Sequence, residues 1–355
     1  MAVAAKKILI VGPSWVGDMV MAQSLFIVLK ERNPHCVIDV LAPAWSLPIL
    51  ERMPEVRQGI SMPVGHGKLE LGMRYRLGKK LAQEGYQQSI LLPNSLKSAL
   101  VPFFASIPER TGWRGEMRFG LLNDIRKLDK DKYPLMVQRF VALAYPAELK
   151  PPLPEDCPNP ALQVDSSGLN VLLEKYQLQK TKPILALCPG AEFGPAKRWP
   201  ERHYAEVARS LLDHGWQVAL FGSDNDRVVT DTIKQLLPAQ QQPFCHSLAG
   251  KTTLAEAVDI LSQASAVVSN DSGLMHIAAA LGRPVVVVYG STSPDFTPPL
   301  SDNVRVERLG VECSPCFQRE CPLSKDKMKC LNELSPQSVI EALTALLPNE
   351  LARDA

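Results

Sequence analysis

The chain has 355 residues, of which 46% are hydrophobic and 21% charged, and its formal net charge is +2. This composition is typical of a soluble globular protein with two domains. The small net charge excludes a whole-molecule field that drives nucleic-acid binding, so any attraction for an anion must be local. Residues 1–10 lack the apolar core of a signal peptide and no stretch has the length of a membrane span, so we expect a cytoplasmic protein. Four scattered cysteines are then most simply buried or free thiols: Cys36, Cys157, Cys188 and Cys245.

Strand and helix signals alternate along both halves of the chain. We predict strands at residues 7–11, 37–41 and 89–92 in the first half, and at 184–187, 218–221, 266–269 and 285–289 in the second. Helices are predicted over residues 16–32 and 95–105 and from about residues 201, 227, 254 and 272. This alternation indicates an α/β fold with two doubly wound, Rossmann-like domains whose parallel sheets carry helices on both faces.

A proline-rich segment, residues 146–168, separates the two halves and favours neither a helix nor a strand. We therefore predict an N-terminal domain over residues 1–160 and a C-terminal domain over 161–335. Residues 336–355 contain a capped helix that could pack on either domain. Two such domains would place the carboxyl ends of two parallel sheets across a central cleft, where open α/β sheets bind ligands.

The first glycine turn, residues 12–18, follows the first strand and opens the first helix. Its spacing resembles a P-loop, but Asp18 and Met19 occupy the places where a P-loop has Lys and Ser or Thr, which excludes a P-loop ATPase. The dinucleotide pattern G-x-G-x-x-G is also missing, so a nicotinamide dehydrogenase is not indicated. The turn instead presents a carboxylate at a helix N-terminus. Asp18 is there either an ionised general base or a helix-capping residue.

Positive charge collects in the first half near the predicted strand end at residues 89–92. Four basic side chains beside Asn94 suit a phosphorylated or carboxylated acceptor: Lys97, Arg110, Arg114 and Arg118. An ordinary solvated loop is the alternative.

Three loops of the second half follow strands and carry polar or charged residues. The loop 189–200 contains Gly190 and Ala191 and delivers Lys197, whose charge could neutralise a departing diphosphate. A solvated surface lysine is the alternative. Asp226 closes the next strand, where acidic side chains commonly bind ribose hydroxyls, although a turn that caps the following helix explains it equally. The loop 248–254, with Thr252, could flank a nucleotide base or simply begin a helix.

Residues 270–276 lie between a strand and an Ala-rich helix. Ser272, Gly273 and Leu274 should offer backbone N–H groups to a phosphate at the helix N-terminus. Asp271 would repel a phosphate unless the ligand also carries hydroxyls, so the segment indicates a nucleotide sugar. An ordinary helix cap is the alternative.

A second group of cysteines lies near the end of the chain: Cys313, Cys316, Cys321 and Cys330. Their spacing could build a tetrahedral zinc site but is not a standard pair of knuckles, and reduced loop thiols are favoured over a metal.

Residues 12–19, the loop 189–200 and residues 271–276 resemble the bacterial ADP-heptose:lipopolysaccharide heptosyltransferases of glycosyltransferase family 9. Nearly the whole chain shares the resemblance. The strings Pro-Asn-Ser-Leu-Lys-Ser-Ala-Leu-Val-Pro-Phe-Phe and Pro-Gly-Ala-Glu-Phe-Gly-Pro-Ala-Lys-Arg-Trp-Pro are most similar to the branch that adds the second heptose of the inner core. One departure is that Ala191-Glu192 stand where another branch has paired threonines.

The resemblance implies a GT-B type, inverting glycosyltransferase without an obligatory metal or other cofactor. It implies that Asp18 is the acceptor base, Lys197 a diphosphate ligand and Asp226 a ribose ligand. Donor contacts are also expected at Gly190, Ala191, Thr252, Asp271, Ser272, Gly273, Leu274 and His276, and acceptor contacts at Trp15, Asn94, Lys97, Arg110, Arg114 and Arg118.

The implied partners are ADP-heptose and a heptose-bearing lipid A–Kdo acceptor, with peripheral contact at the cytoplasmic face of the inner membrane. The alternatives are another nucleotide-sugar transferase of the same family, a nucleotide-sugar epimerase of the same architecture, and a non-catalytic nucleotide-sugar or lipopolysaccharide binder.

Overall fold

The computed structural model describes residues 5–65, 67–147, 149 and 152–347. The chain divides into two compact units with the boundary between Gln163 and Val164. We call the part before this boundary unit 1 and the part after it unit 2. The boundary falls inside the predicted linker, of which Glu148, Lys150 and Pro151 lie outside the described residues.

Unit 1 is built on a parallel sheet that has six strands within the described residues, in the order β3-β2-β1-β4-β5-β6. The strands are β1 (Lys7–Val11), β2 (Val37–Ala42), β3 (Val56–Ser61), β4 (Gln88–Leu91), β5 (Glu109–Trp113) and β6 (Asp124–Arg126). The helices are α1 (Val16–Arg32), α2 (Leu47–Leu50), α3 (Leu71–Leu81), α4 (Leu100–Phe104) and α5 (Met136–Val141). Short 3-10 turns lie at Ala44–Ser46, Ala82–Glu84, Leu96–Ala99, Ala142–Ala144 and Pro154–Asp156.

Unit 2 repeats this architecture, with six parallel strands in its described part in the order β12-β11-β10-β7-β8-β9. The strands are β7 (Ile184–Cys188), β8 (Gln217–Leu220), β9 (Cys245–Ser247), β10 (Ala266–Asn270), β11 (Val285–Val288) and β12 (Val304–Glu307). The helices are α6 (Leu169–Lys175), α7 (Glu201–Asp213), α8 (Arg227–Gln235), α9 (Leu254–Leu261), α10 (Gly273–Ala280), α11 (Lys329–Asn332) and α12 (Pro336–Leu346).

The predicted strands are confirmed with shifts of one residue or so at their ends. The predicted helix over residues 95–105 is only partly correct, because its first turn is the 3-10 turn Leu96–Ala99. The Ser98 hydroxyl bonds to the carbonyls of Ser95 and Pro93, and this competition from a serine favours turn geometry.

The apolar faces of the helices bury themselves against the two sheets. On α7 the buried face consists of Tyr204, Val207, Ala208 and Leu211, which are at most 1% exposed. The C-terminal helix α12 packs on α7, β11 and β12 within unit 2. Its N-cap is Ser335, whose hydroxyl accepts the Gln337 N–H at 3.1 Å.

The part of the linker before the unit boundary is bonded to the rest of unit 1. Ser24 donates to the Pro158 carbonyl at 2.6 Å, and the Gln163 N–H donates to the Arg52 carbonyl at 2.8 Å. Across the described ranges, no helix combines the length and the apolar content needed to cross a membrane.

Candidate active site

The carboxyl edge of the unit 2 sheet carries the expected helix N-terminus. β10 ends at Asn270, and Ser272 caps α10 by accepting the Met275 N–H on its hydroxyl at 3.4 Å. Ser272, Gly273 and Leu274 are each partly exposed. Because the N–H groups of a first helical turn have no acceptor inside the helix, this edge is suited to bind an anion such as a phosphate.

Two charged residues predicted at this edge form an ion pair. Lys197 Nζ lies 2.6 Å from Asp271 Oδ2, and the Thr292 hydroxyl donates to the same oxygen at 2.7 Å. The Lys197 and Asp271 side chains are only 15% and 6% exposed. The Phe193 ring centroid lies 5.1 Å from the ammonium. Because Asp271 is paired with a cation, this carboxylate need not repel an anion at the same edge.

His276 lies buried on α10 near this pair. Burial lowers the pKa of His276 to about 4, while Asp271 acts to raise it and Lys197 to lower it. The imidazole is therefore neutral at neutral pH and offers a hydrogen bond rather than a charge. A contact between His276 and the donor remains a prediction.

Asn270 organises this edge, although no motif in the sequence assigns it a role. Its Oδ1 accepts the Trp199 N–H and the Tyr204 hydroxyl, each at 3.0 Å, and its Nδ2 donates to the Pro189 carbonyl at 2.6 Å. The side chain is fully buried. These bonds fasten the end of β10 to both ends of the loop 189–200. The one signal in the sequence is an amide directly after an apolar strand.

Glycines bring the loop 189–200 close to its neighbours. A Cβ on Gly190 would lie 2.5 Å from Asp226 Cγ, and a Cβ on Gly194, where φ is 155°, would lie 2.4 Å from the Arg319 carbonyl oxygen. The Ala196 N–H donates to that same carbonyl at 3.0 Å. The loop that carries Lys197 is thus fixed on two sides, while donor contacts at Gly190 and the buried Ala191 stay predictions.

Asp226 lies directly before α8. Its Oδ2 accepts the Ser223 N–H at 2.9 Å and the Ser223 hydroxyl at 2.8 Å, and Arg198 Nη2 lies 3.5 Å from its Oδ1. The side chain is 10% exposed, and the residue is the N-cap of α8. These contacts support the alternative of a capping turn, since Oδ2 closes the turn 223–226, and a ribose contact through Oδ1 stays a prediction.

Thr252 is partly exposed in the loop next to this turn. The Gly250 N–H donates to the Gly222 carbonyl at 3.1 Å, which holds the two loops together. Thr253 then caps α9 by accepting the Glu256 N–H at 3.2 Å. The helix-start alternative is confirmed for Thr253, and a nucleotide contact at Thr252 stays a prediction.

The second group of cysteines lines one pocket together with Ala196 of the Lys197 loop. The Met328 N–H donates to Cys321 Sγ at 3.2 Å, and burial with the three neighbouring thiols raises the pKa of Cys330 to about 11. Cys313, Cys316, Cys321 and Cys330 are all free thiols. In the part of the chain that the structure describes, no three His, Cys, Asp or Glu side chains are arranged to hold a metal ion.

The carboxyl edge of the unit 1 sheet carries the first glycine turn. Gly12 packs closely on its neighbours, since a Cβ would lie 2.7 Å from Met19 Cε and 3.1 Å from Val40 Cγ1. Trp15 is the N-cap of α1 and is 45% exposed, and Asp18 lies in the first turn of the helix, partly exposed. A second indole, Trp45, belongs to no motif of the sequence. It is 51% exposed and donates to the Ser14 carbonyl at 3.2 Å.

Three predicted acceptor residues share this edge. Asn94 follows β4, Lys97 lies in the turn Leu96–Ala99, and Arg114 directly follows β5. Glu116 joins their loops, because its N–H donates to the Asn94 carbonyl at 3.1 Å and its carboxylate accepts the Leu96 N–H at 2.7 Å. Asn94 and Arg114 are exposed and Lys97 is partly exposed, so all three are accessible to a ligand.

Arg118 and Arg110 are corrections. Arg118 is 2% exposed, and its guanidinium donates to the carbonyls of Pro93 and Trp113 and to the side chains of Asn94 and Ser98, so it supports the loops instead of facing a ligand. Arg110 lies near the amino end of β5 and donates to the Leu121 and Ile107 carbonyls. It therefore lies at the opposite edge of the sheet from Arg114.

The two parallel six-stranded sheets with their covering helices are the architecture of the GT-B type. The unit 2 sheet also carries the paired Lys197 beside a helix N-terminus. The model of the family described as glycosyltransferase family 9 (heptosyltransferase) matches residues 74–327. The chain is 52% identical over 347 residues to lipopolysaccharide heptosyltransferase 2 of Salmonella typhimurium, covering 97% of this chain and 99% of that one. It is 51% identical over 349 residues to the Escherichia coli protein of the same name, covering 98% and 100%.

The solved structure described as E. coli ADP-heptose lps heptosyltransferase II superposes with a TM-score of 0.85 at 49% identity, covering 97% of this chain and 99% of that chain. The chain belongs to glycosyltransferase family 9, the heptosyltransferase family, and is a glycosyltransferase.

Proposed function

We propose that this enzyme transfers L-glycero-D-manno-heptose from ADP-heptose to the first heptose of the lipopolysaccharide inner core, with inversion and without a metal or other cofactor. The observation that carries the proposal is the Lys197–Asp271 pair at the N-terminus of α10. Relatives named heptosyltransferase 2, more than half identical over nearly the whole chain, support the choice of sugar and acceptor.

On the donor side, the demand is to stabilise the ADP that leaves. Negative charge grows on the diphosphate as its bond to the anomeric carbon breaks, and a fixed cation beside open N–H groups lowers the energy of that state. Lys197 supplies the cation, and residues 272–274 supply the N–H groups. Asp271 keeps Lys197 in place and can accept a hydrogen bond from a sugar hydroxyl.

On the acceptor side, the demand is for a base. Asp18 takes the proton from a hydroxyl of the acceptor heptose, and the oxygen attacks the anomeric carbon as the bond to ADP breaks. A single displacement inverts the configuration. Asn94, Lys97 and Arg114 bind the anionic acceptor, because they are accessible at the same edge of the unit 1 sheet as the turn that carries Asp18.

The acceptor is part of a glycolipid, so the enzyme works at the inner face of the inner membrane, and unit 1 makes the contact with that membrane. This proposal follows from the chemistry of the acceptor, since a soluble enzyme must approach the bilayer to reach a sugar a few residues away from lipid A.

The decisive experiment incubates the full-length enzyme with ADP-heptose, with and without heptose-bearing lipid A core, and measures ADP release and the mass of the lipid. ADP release that requires the acceptor, with a gain of one heptose in the lipid, supports the proposal. Conversion of the donor without acceptor would identify an epimerase or hydrolase instead, and donor binding without turnover would identify a binding protein.

A further inference from the structure

Helix α3 of unit 1 turns an apolar and basic face to solvent. Leu71 and Tyr75 are 51% and 49% exposed, and Lys79 continues the same stripe at intervals of four residues. Arg76 and Lys80 form the adjacent exposed stripe. We call these five side chains the α3 face. Exposed aliphatic and aromatic groups side by side with cations are unusual on a helix that only covers a sheet.

The opposite side of α3 is fixed to unit 1, so the face has a definite orientation. Gly78 packs so closely on α4 that a Cβ would lie 2.5 Å from Phe104 Cβ. Arg74, 4% exposed, donates to the Leu69 carbonyl at 2.6 Å and to the Lys97 carbonyl at 3.1 Å. The helix therefore cannot roll to bury its apolar side chains.

Aromatic and cationic groups continue from α3 onto α4. The Tyr75 and Phe104 rings meet edge to face at 5.3 Å, and Lys79 Nζ lies 5.6 Å from the Tyr75 ring centroid. Phe103 is 41% exposed, with the Arg110 guanidinium 5.8 Å from its centroid. One open pocket is lined by Lys79, Phe103, Phe104 and Arg110. Arg110 therefore belongs to this surface and not to the sheet edge that carries Arg114.

The charge of this surface differs sharply from that of the whole chain. The sequence Leu71–Leu81 holds four basic residues and no acidic one, whereas the entire protein has a formal net charge of +2. Two carboxylates flank the helix in the sequence: Glu70 directly precedes it and neighbours the buried Arg74, and Glu84 follows it and lies 3.8 Å from Arg57. The occupant that this surface fits is therefore anionic and also accepts apolar side chains.

We propose that the α3 face, with Phe103 and Arg110, docks on a bilayer rich in anionic phospholipid. Leu71, Tyr75 and Phe103 enter the boundary between headgroups and acyl chains, while Arg76, Lys79 and Lys80 extend to the phosphates. The proposal rests on the proposed function in one respect, that the acceptor lies in a bilayer. The Arg74 bond to the Lys97 carbonyl joins this surface to an acceptor loop, so docking presents that loop to the membrane.

The test measures binding of the full-length enzyme to vesicles of phosphatidylcholine alone and of equimolar phosphatidylcholine and phosphatidylglycerol, both free of acceptor. The variant K79E/K80E is compared with K130E/K132E, which changes the net charge equally at exposed lysines of unit 1. We expect the first variant to lose at least about thirtyfold in partitioning onto the anionic vesicles and the second to bind like wild type. Leu71→Ser should weaken binding at every salt concentration, whereas added salt should weaken the wild type.

Turnover separates this inference from the proposed function. K79E/K80E should retain wild-type turnover and thermal midpoint on a deacylated, soluble acceptor and lose turnover only when the acceptor is embedded in vesicles. The inference is overturned if K79E/K80E binds anionic vesicles like wild type, if it also loses turnover on the soluble acceptor, or if wild type binds only vesicles that contain the acceptor. If the wild-type enzyme transfers no heptose but binds vesicles through the α3 face, the proposed function fails and the inference stands.

Discussion

The carboxyl edges of the two sheets are built in opposite ways. In unit 2 the Lys197–Asp271 pair is largely buried, with side chains that are 15% and 6% exposed. In unit 1 the edge presents side chains to solvent, with Trp15 and Trp45 about half exposed and Arg114 exposed. A preorganised, dry edge suits one ligand of fixed shape, whereas an exposed edge suits a large ligand presented from a surface.

Both edges nevertheless depend on one buried polar residue that ties loops to strand ends. In unit 2 this residue is Asn270, with three hydrogen bonds of 2.6 to 3.0 Å to the loop 189–200 and α7. In unit 1 it is Arg118, which holds the segments around Pro93 and Trp113. Burial lowers the pKa of Arg118 while Glu116 acts to raise it, and the guanidinium donates to two carbonyls and to the Ser98 and Asn94 side chains. The buried Arg118 therefore fixes the loops of the unit 1 edge, while other side chains of the same edge stay exposed.

The first test concerns Asp18, whose substitution should affect turnover strongly and donor binding little. Asp18→Asn should lower turnover about a hundredfold or more, because the amide cannot take the proton of the acceptor hydroxyl. Affinity for ADP-heptose should stay within a few-fold, since the donor contacts are assigned to unit 2. Acceptor-dependent ADP release gives the first quantity and calorimetry the second. Near-normal turnover in the variant would return Asp18 to a capping role.

The second test removes the cation of the unit 2 edge. Lys197→Ala should weaken ADP-heptose binding and reduce turnover further, by roughly ten- to a hundredfold in total, because the charge serves the departing diphosphate most. The substitution also leaves the Asp271 carboxylate buried next to the anion.

The double variant Lys197→Ala/Asp271→Asn should therefore bind ADP more tightly than the single Lys197 variant, because the repulsion is removed. Thermal unfolding of both variants serves as the control for folding. If adding Asp271→Asn weakens ADP binding by the Lys197 variant, repulsion from the unpaired Asp271 carboxylate is not the cause of the lost affinity.

The elements that can be predicted from the sequence are those whose apolar residues repeat at regular spacing. β1, β10, β11 and α7 are recognised because their apolar residues repeat at strand or helix spacing. α3 is not, because its burial depends on Gly78 meeting α4, a contact formed only in the folded unit. β6 and β12 are edge strands with half-exposed residues and give little periodic signal.

For the site, the sequence locates positions but not partners. Strand ends followed by glycines and charges point to Asp18, Lys197 and residues 271–274, all at carboxyl edges in the structure. The pairing of Lys197 with Asp271 joins residues 74 apart and follows only from strand order. Likewise, nothing in the run from Arg110 to Arg118 distinguishes the exposed Arg114 from the buried Arg118.

A third test uses pH to examine how dry the unit 2 edge is. The pKa of His276 is about 4 in the folded protein against 6.5 in a model peptide. Between these values the unfolded chain binds a proton that the folded chain does not, so stability is lost as the pH falls through this range. Between pH 7 and pH 5, the free energy of unfolding should therefore fall by roughly 1 to 2 kcal/mol less in His276→Gln than in the wild type. Denaturant unfolding at both pH values measures it, with the exposed His214→Gln as control. An identical loss in wild type and His276→Gln would show that the edge is wetter than the structure indicates.

The smallest expected effect belongs to the exposed edge of unit 1. Arg114→Ala should raise the Michaelis constant for the acceptor a few-fold and leave ADP-heptose binding nearly unchanged, because one exposed cation contributes less than about 1 kcal/mol to an ion pair in water. The effect should grow with the number of phosphates on the acceptor and shrink at high salt. Steady-state kinetics on deacylated acceptors of defined phosphorylation measure both trends.

Arg110→Ala is the matched control, since Arg110 lies at the other end of β5 and should leave the Michaelis constant for a soluble acceptor unchanged. Arg118→Ala should lower the thermal midpoint, because it leaves the Pro93 and Trp113 carbonyls without their donor. If Arg114→Ala instead cripples ADP-heptose binding, or if Arg110→Ala affects the soluble acceptor as strongly as Arg114→Ala, the assignment of acceptor contacts to the exposed edge of unit 1 is wrong.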